Sequence, residues 1–276
     1  MVEIGKYVSD AYHYAISDIK KGLVGALLSS IAGAFGAIFG TLLSLYIISY
    51  LNPETSPMSL ISVILIACVG FLIALIIGFI LDGYYVRVMK TSVENSNTLP
   101  DWNNVKDLLV RGFLYWVGGL IVGIIFLIIP FLLIVFGMFL MFIPPLGLLV
   151  AGIGFICLII SMIAYIFYSG LAEVNYSVIG FSGFFEFKKI FKMMNIDYIL
   201  LVIVVIILTI LVILIVNVPF MIFKLIFAAS SMSKLTILLD IISTVVSSFV
   251  GFFTAVFCKR AIALFYRDRI KEIDQY

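Results

Sequence analysis

Five stretches of the chain carry no charged residue: Gly22–Pro53, Thr55–Leu81, Gly112–Ala172, Tyr198–Phe223 and Ile241–Cys258. An α-helix rises 1.5 Å per residue, so about 20 apolar residues cross a hydrocarbon core of about 30 Å. Four of the runs are about one span long, whereas the third has 61 residues and must fold back on itself. Phe142-Ile143-Pro144-Pro145-Leu146-Gly147 is the place for that turn, because paired prolines remove two backbone donors and stop a helix. Six spans result. Unpaired backbone groups cost too much in hydrocarbon for anything but helices or a closed barrel, and runs this continuous are helical. A charged fraction of 12% and a mean hydropathy of +1.29 exclude an ordinary soluble domain, where about a quarter of residues are charged.

Charge placement orients the spans. With the N-terminus cytoplasmic, 15 of the 17 basic residues fall inside, leaving only Lys224 and Lys234 outside. Such a bias sets topology. The expected location is the plasma membrane, with both termini cytoplasmic. The first 21 residues mix acids, lysines and tyrosines and do not read as a cleavable signal peptide. Cys68, Cys157 and Cys258 fall inside spans without CxxC spacing and read as buried reduced thiols. His13, the only histidine, lacks a histidine partner for a metal or a relay and reads as an interfacial residue.

Three segments are expected to be amphipathic helices on the cytoplasmic surface. Ile4, Val8, Ala11 and Ala15 share a stripe near the N-terminus. Trp102, Val105 and Leu109 share a second, with Pro100 rigidifying the turn, Asp101 as its N-cap and Trp102 as an interfacial anchor. Phe184, Phe187, Phe191 and Met194 line a third, beside Glu186, Lys189 and Lys192. The pattern of surface helix, span, outside turn and span then occurs three times. The chain is expected to be one all-α polytopic membrane domain over residues 1–276, of six transmembrane helices in three parallel hairpins. Its pseudo-repeats cover about 1–90, 98–178 and 181–270, with cytoplasmic junctions at 82–112 and 173–197. Gly25, Ser29, Gly33, Gly36 and Gly40 form a small-residue stripe that suits close helix packing, and Pro130 should kink the third span.

The elements Leu81-Asp82-Gly83-Tyr84-Tyr85-Val86-Arg87, Thr98-Leu99-Pro100-Asp101-Trp102-Asn103-Asn104 and Leu108-Leu109-Val110-Arg111-Gly112 resemble a prokaryotic membrane family. Asp10-Ala11-Tyr12-His13-Tyr14 is similar to its N-terminal segment. That family is catalogued only as a domain of unknown function, number 4013. The resemblance implies six membrane helices and a prokaryotic plasma membrane, and no activity, catalytic residue or ligand.

Candidate chemistry is sparse. Asp82-Gly83-Tyr84-Tyr85-Val86-Arg87 partly resembles the core of CDP-alcohol phosphotransferases. That motif needs another aspartate where this chain has Phe79, and without the carboxylate cluster a divalent metal lacks ligands. No cofactor, metal site or catalytic residue is expected, nor a nucleic-acid partner. Asp82, Arg87, Glu173, Lys259 and Arg260 lie near the cytoplasmic ends of the even-numbered spans and are expected to form an interfacial ion cluster. Asp240, with Asn217 and Lys224, is the best intramembrane polar site, since a carboxylate at the bilayer centre costs about 2.5 kcal/mol or more. The preferred reading is a non-enzymatic, lipid-interacting or scaffold protein whose partners are anionic headgroups on the cytoplasmic side. The alternative is a transporter or channel for a small solute or lipid.

Overall fold

The computed structural model describes residues 4–51, 60–230 and 233–273. Among them are eight α-helices: α1 (Ile4–Ala15), α2 (Ile19–Leu51), α3 (Leu60–Val93), α4 (Val105–Phe139), α5 (Pro144–Ile179), α6 (Phe187–Met193), α7 (Ile196–Ala229) and α8 (Ser233–Ile273). Six of these, α2 to α5, α7 and α8, are long and apolar enough to cross a membrane. The molecule is an all-α, multi-pass membrane protein. The expected outer turn at Asn52–Pro57 lies outside the described residues, as do Ser231 and Met232 of the loop before α8.

Helix α8 is the hub, touching α1, α2, α3, α5 and α7, while α3, α5 and α8 also meet one another. Around these three, α2 lies against α3 and α8, α4 against α3 and α5, and α7 against α8. Pro144 opens α5 at its first turn, where a missing N–H leaves no bond unmade, and a 3₁₀ turn at Leu140–Phe142 closes α4. Pro130 lies inside α4, which continues through it.

The glycine that ends the 82–112 junction has a steric role. A Cβ on Gly112 would run into the Phe79 carbonyl, and one on Gly83 into the backbone of Leu108. The α3–α4 crossing is therefore a backbone-to-backbone contact that only glycine admits. The stripe on α2 is used over half its length. Gly25 meets Phe252, Ser29 Oγ donates to the Ser248 carbonyl at 2.8 Å and Gly33 meets Ser248, whereas Gly36 and Gly40 face open space.

The surface segments differ from the sequence expectation. Helix α1 docks on α8, with Tyr7 and Tyr14 buried beside Ala11 and Ala15. The helix expected to start at Asp101 is the first part of α4. Its N-cap is Asn104, in a left-handed conformation (φ 51°), whose side chain accepts the Asp107 N–H at 3.3 Å. Residues 181–194 are not one helix: a 3₁₀ turn at Phe181–Phe185 meets α6 at Glu186. That break buries Phe184, Ile190 and Met193 and leaves Phe191 exposed, so the expected Phe184–Phe187–Phe191–Met194 face does not form.

Candidate functional site

The polar side chains gather at the end of the bundle where α1, the α3–α4 junction, α6 and the C-terminal part of α8 meet. At the junction, Arg87 at the end of α3 donates to the carbonyls of Asp101 (2.7 Å) and Asn103 (3.0 Å), to Asn103 Oδ1 (2.8 Å) and to Asp107 (3.1 Å). Lys21 of α2 pairs with Asp101 at 2.8 Å and donates to the Leu99 carbonyl at 2.9 Å. Hydrogen bonding from Lys21 holds the Asp101 carboxyl below the usual carboxylate range. Trp102 stacks on Tyr84 with centroids 3.8 Å apart, and its indole N–H donates to the Lys21 carbonyl at 2.9 Å. The ring expected at headgroup level is a half-buried wedge joining α2, α3 and α8.

The five residues grouped by sequence divide among three places. Lys259 of α8 is hydrogen-bonded to Glu173 of α5 and donates to the Tyr115 hydroxyl at 2.9 Å, with Asp82 of α3 within electrostatic reach of both. Arg87 stands apart in the junction just described. Arg260, only 1% exposed, turns the other way: it bonds Asp10 at 2.9 Å and the Ser96 carbonyl at 2.7 Å, and lies 4.3 Å over the Tyr14 ring. Adjacent helical residues point about 100° apart, so Lys259 and Arg260 serve different neighbours. Around Arg260, α1 is fastened further by Tyr7, which donates to Asp268 at 3.1 Å. Burial raises the Tyr7 and Tyr14 hydroxyls above the usual tyrosine value, so both stay protonated.

One centre was not singled out from sequence. Asn175, fully buried, donates to the Gly183 carbonyl at 2.9 Å and to Glu186 at 3.0 Å, and accepts from Lys189 at 3.0 Å and from the Tyr266 hydroxyl. These bonds pin the 3₁₀ turn and α6 onto α5 and α8. The bond from Asn175, aided by Lys189, holds the Glu186 carboxyl below its usual range. The available signal was an amide just beyond a charge-free run, two residues after Glu173, the carboxylate that ends it.

At the opposite end, Lys224 of α7 pairs with Asp240 of α8 at 2.7 Å and donates to Ser243 at 2.9 Å. Nearer the middle of the two helices, Asn217 accepts from Ser247 at 2.9 Å and donates to the Ile213 carbonyl at 2.9 Å. The three residues of the expected intramembrane site thus lie on one α7–α8 interface, with Asp240 half exposed. Among the described residues no three His, Cys, Asp or Glu side chains are placed to hold a metal ion. Among the described residues three cavities border α7 and α8. One of about 230 Å³ lies between them, and one of about 320 Å³ opens onto Glu173 and Lys259. The third, an apolar cleft of about 700 Å³, has α1 as its third wall.

A family model described as "Protein of unknown function (DUF4013)" matches residues 66–221. The chain is 54% identical to the uncharacterized protein MJ1189 of Methanocaldococcus jannaschii, over 99% of each chain. It is 42% identical to the uncharacterized protein MJ0233 of the same organism, over 98% of this chain and 99% of the other. No solved structure matches.

Proposed function

We propose that this chain, which belongs to the DUF4013 family of proteins of unknown function, is a non-catalytic membrane protein that holds lipid at its cytoplasmic side. The observation that carries the reading is the cleft walled by α1, α7 and α8. Docking of Tyr7, Ala11, Tyr14 and Ala15 leaves Val8, Tyr12 and Ile16 facing Leu211, Ile215 and Phe253 across it. An apolar cleft of this size beside membrane-spanning helices suits a lipid chain, and burying chain methylenes contributes about 0.8 kcal/mol each. The headgroup would then lie near Lys6 and His13, which are exposed on the other flank of α1.

In this reading the six spans are three parallel hairpins, α2–α3, α4–α5 and α7–α8, with both termini in the cytoplasm and the protein in the plasma membrane. Eleven of the basic residues show two roles. Lys21, Arg87, Arg111, Lys259 and Arg260 are engaged in ion pairs, while Lys6, Lys20, Lys106, Lys188, Lys192 and Lys271 are exposed and meet anionic headgroups. Native mass spectrometry of protein released from vesicles of defined anionic content tests the proposal. Retained lipid should rise with anionic fraction and fall several-fold in Leu211→Trp and Ile215→Trp, which fill the cleft. Retention indifferent both to lipid charge and to these fillings would remove the proposal.

A further inference from the structure

A second feature of α7 and α8 borders the lipid cleft and shares Thr209, Val212, Val250 and Thr254 with it. Along α8, Asp240, Ser243, Ser247, Gly251, Thr254 and Cys258 recur at steps of three or four and form one stripe. Helix α7 answers with Lys224, Asn217 and Thr209, giving a seam of polar cross-helix bonds: Lys224 to Ser243 at 2.9 Å, Ser247 to Asn217 at 2.9 Å, and Thr209 with Cys258 at 3.4 Å. The seam begins at one ion pair, Lys224–Asp240, and reaches the residue before a second, Lys259–Glu173.

Polar bonds between membrane helices often act only as glue, drawing the helices together. Here they flank an opening. The 230 Å³ cavity between α7 and α8 sets Asn217, Ser247 and Thr254 among valines and Ile213, and it has room for several waters at about 30 Å³ each. The cavity beside Glu173 and Lys259 adjoins it, because Thr209 and Cys258 line both. Asn217 uses one amide N–H on the Ile213 carbonyl, and its second remains for a guest. Each end of the seam carries a paired cation and anion, so neither end adds net charge.

We propose that the α7–α8 seam is a hydrated passage for small uncharged hydrogen-bonding solutes, with the Thr209–Cys258 pair as its gate. The passage differs from the lipid reading in solute and test, and of the seam's side chains Asn217, Ser247 and Cys258 lie off the lipid cleft.

Thiol accessibility reads hydration directly, since the thiolate, which forms in contact with water, attacks charged methanethiosulfonates to give a mixed disulfide and free methanesulfinate. Full-length protein in liposomes, with Cys68 and Cys157 replaced by alanine, would carry either Cys258 or, with Cys258→Ala added, Ser247→Cys. Ile207→Cys and Leu214→Cys, on exposed positions of α7 near those depths that line none of the three cavities, are the comparisons. The seam thiols should react at least tenfold faster. Osmotic swelling in glycerol and in urea should exceed that of protein-free vesicles. It should fall several-fold in Gly251→Leu, a filling with no atom within 4 Å of the new Cβ and hence no clash there. Equal thiol rates, swelling no faster than in empty vesicles, or swelling untouched by Gly251→Leu would each overturn the proposal. Leu211→Trp, which tests the lipid cleft, should leave thiol rates unchanged, so failure of one reading is distinguishable from failure of the other.

Discussion

Tyr84, Leu99, Leu108, Tyr168, Tyr198 and Tyr266 at the junction end are at most 1% exposed, while Ile129, Phe139, Phe142, Ile215 and Leu225 toward the other end are 62–74% exposed. Both sets are large and mostly apolar. What the tyrosines among the first set add is a polar atom at the tip of the ring. The hydroxyls of Tyr84, Tyr168, Tyr176 and Tyr198 donate to the carbonyls of Pro100, Phe184, Arg111 and Phe167, each tying a helix to a different segment. Phenylalanine and isoleucine have no such tether. Because lipid tails are as apolar as leucine, burial alone does not drive helices together, and hydrogen bonds with close backbone contact must. The junction end therefore fixes the fold, and the far end keeps large apolar side chains exposed.

The contrast is broken most severely where backbones touch. Gly112→Leu should lower stability by about 3 kcal/mol or more, since overfilling a packed crossing typically costs 1–3 kcal/mol and here the obstacle is backbone. The same change at Gly36, which faces open space, should stay within about 0.5 kcal/mol. Unfolding in mixed micelles against denaturing detergent compares the two, and equal losses would mean the far end is packed as tightly as the junction.

Arg260→Met comes next. It removes a buried guanidinium and leaves Asp10 and the Ser96 carbonyl without their donor, at a cost of about 2–4 kcal/mol. Its signature is local: α1 should become susceptible to proteolysis while α2 to α8 stay resistant. Arg260→Lys should not rescue it, because one ammonium cannot meet Asp10 and Ser96 in the guanidinium geometry.

The contrast also explains what could be read from sequence. Six spans were legible because a charge-free run of span length in a hydrophobic chain has few alternatives. Helix ends were not, because a helix satisfies its own backbone and need not stop where polarity rises. Thus α3 runs on past Asp82 to Val93, and α4 starts before its apolar run. Glu173 and Lys259 were legible as neighbours in kind, but the turning away of Arg260 toward Asp10 depended on where α1 docks. Asn175 was missed for a similar reason: its bonds run to Gly183, Glu186, Lys189 and Tyr266, and only the folded chain assembles that set.

Trp102→Ala tests whether the wedge or the crossing dominates at the junction. Loss of a stacked, half-buried indole and of its bond to Lys21 should cost about 2–3 kcal/mol, below Gly112→Leu. Trp102→Phe should recover part of this through stacking, but not the hydrogen bond. A loss as large as that of Gly112→Leu would make the wedge the primary fastening.

The smallest expected effect is titration of the Lys21–Asp101 pair. Lys21 holds the Asp101 carboxyl below its ordinary value of 3.8, so the unfolded chain takes up this proton more readily than the folded one. The pair's contribution is therefore complete above that ordinary value and is lost as pH falls through the lower folded one. Asp101 is exposed, so solvent screens the pair and the change should be local, not an unfolding. With Trp116→Phe leaving Trp102 as the sole indole, its emission should shift red below about pH 4. In Asp101→Asn this acid step should vanish, because the amide neither titrates nor draws Lys21 by charge. An acid step that persists in Asp101→Asn would assign the transition to another group and leave the wedge independent of the pair. Loss of the step would show that even at the tightly packed end the outermost fastening is electrostatic and separable from the crossing beneath it.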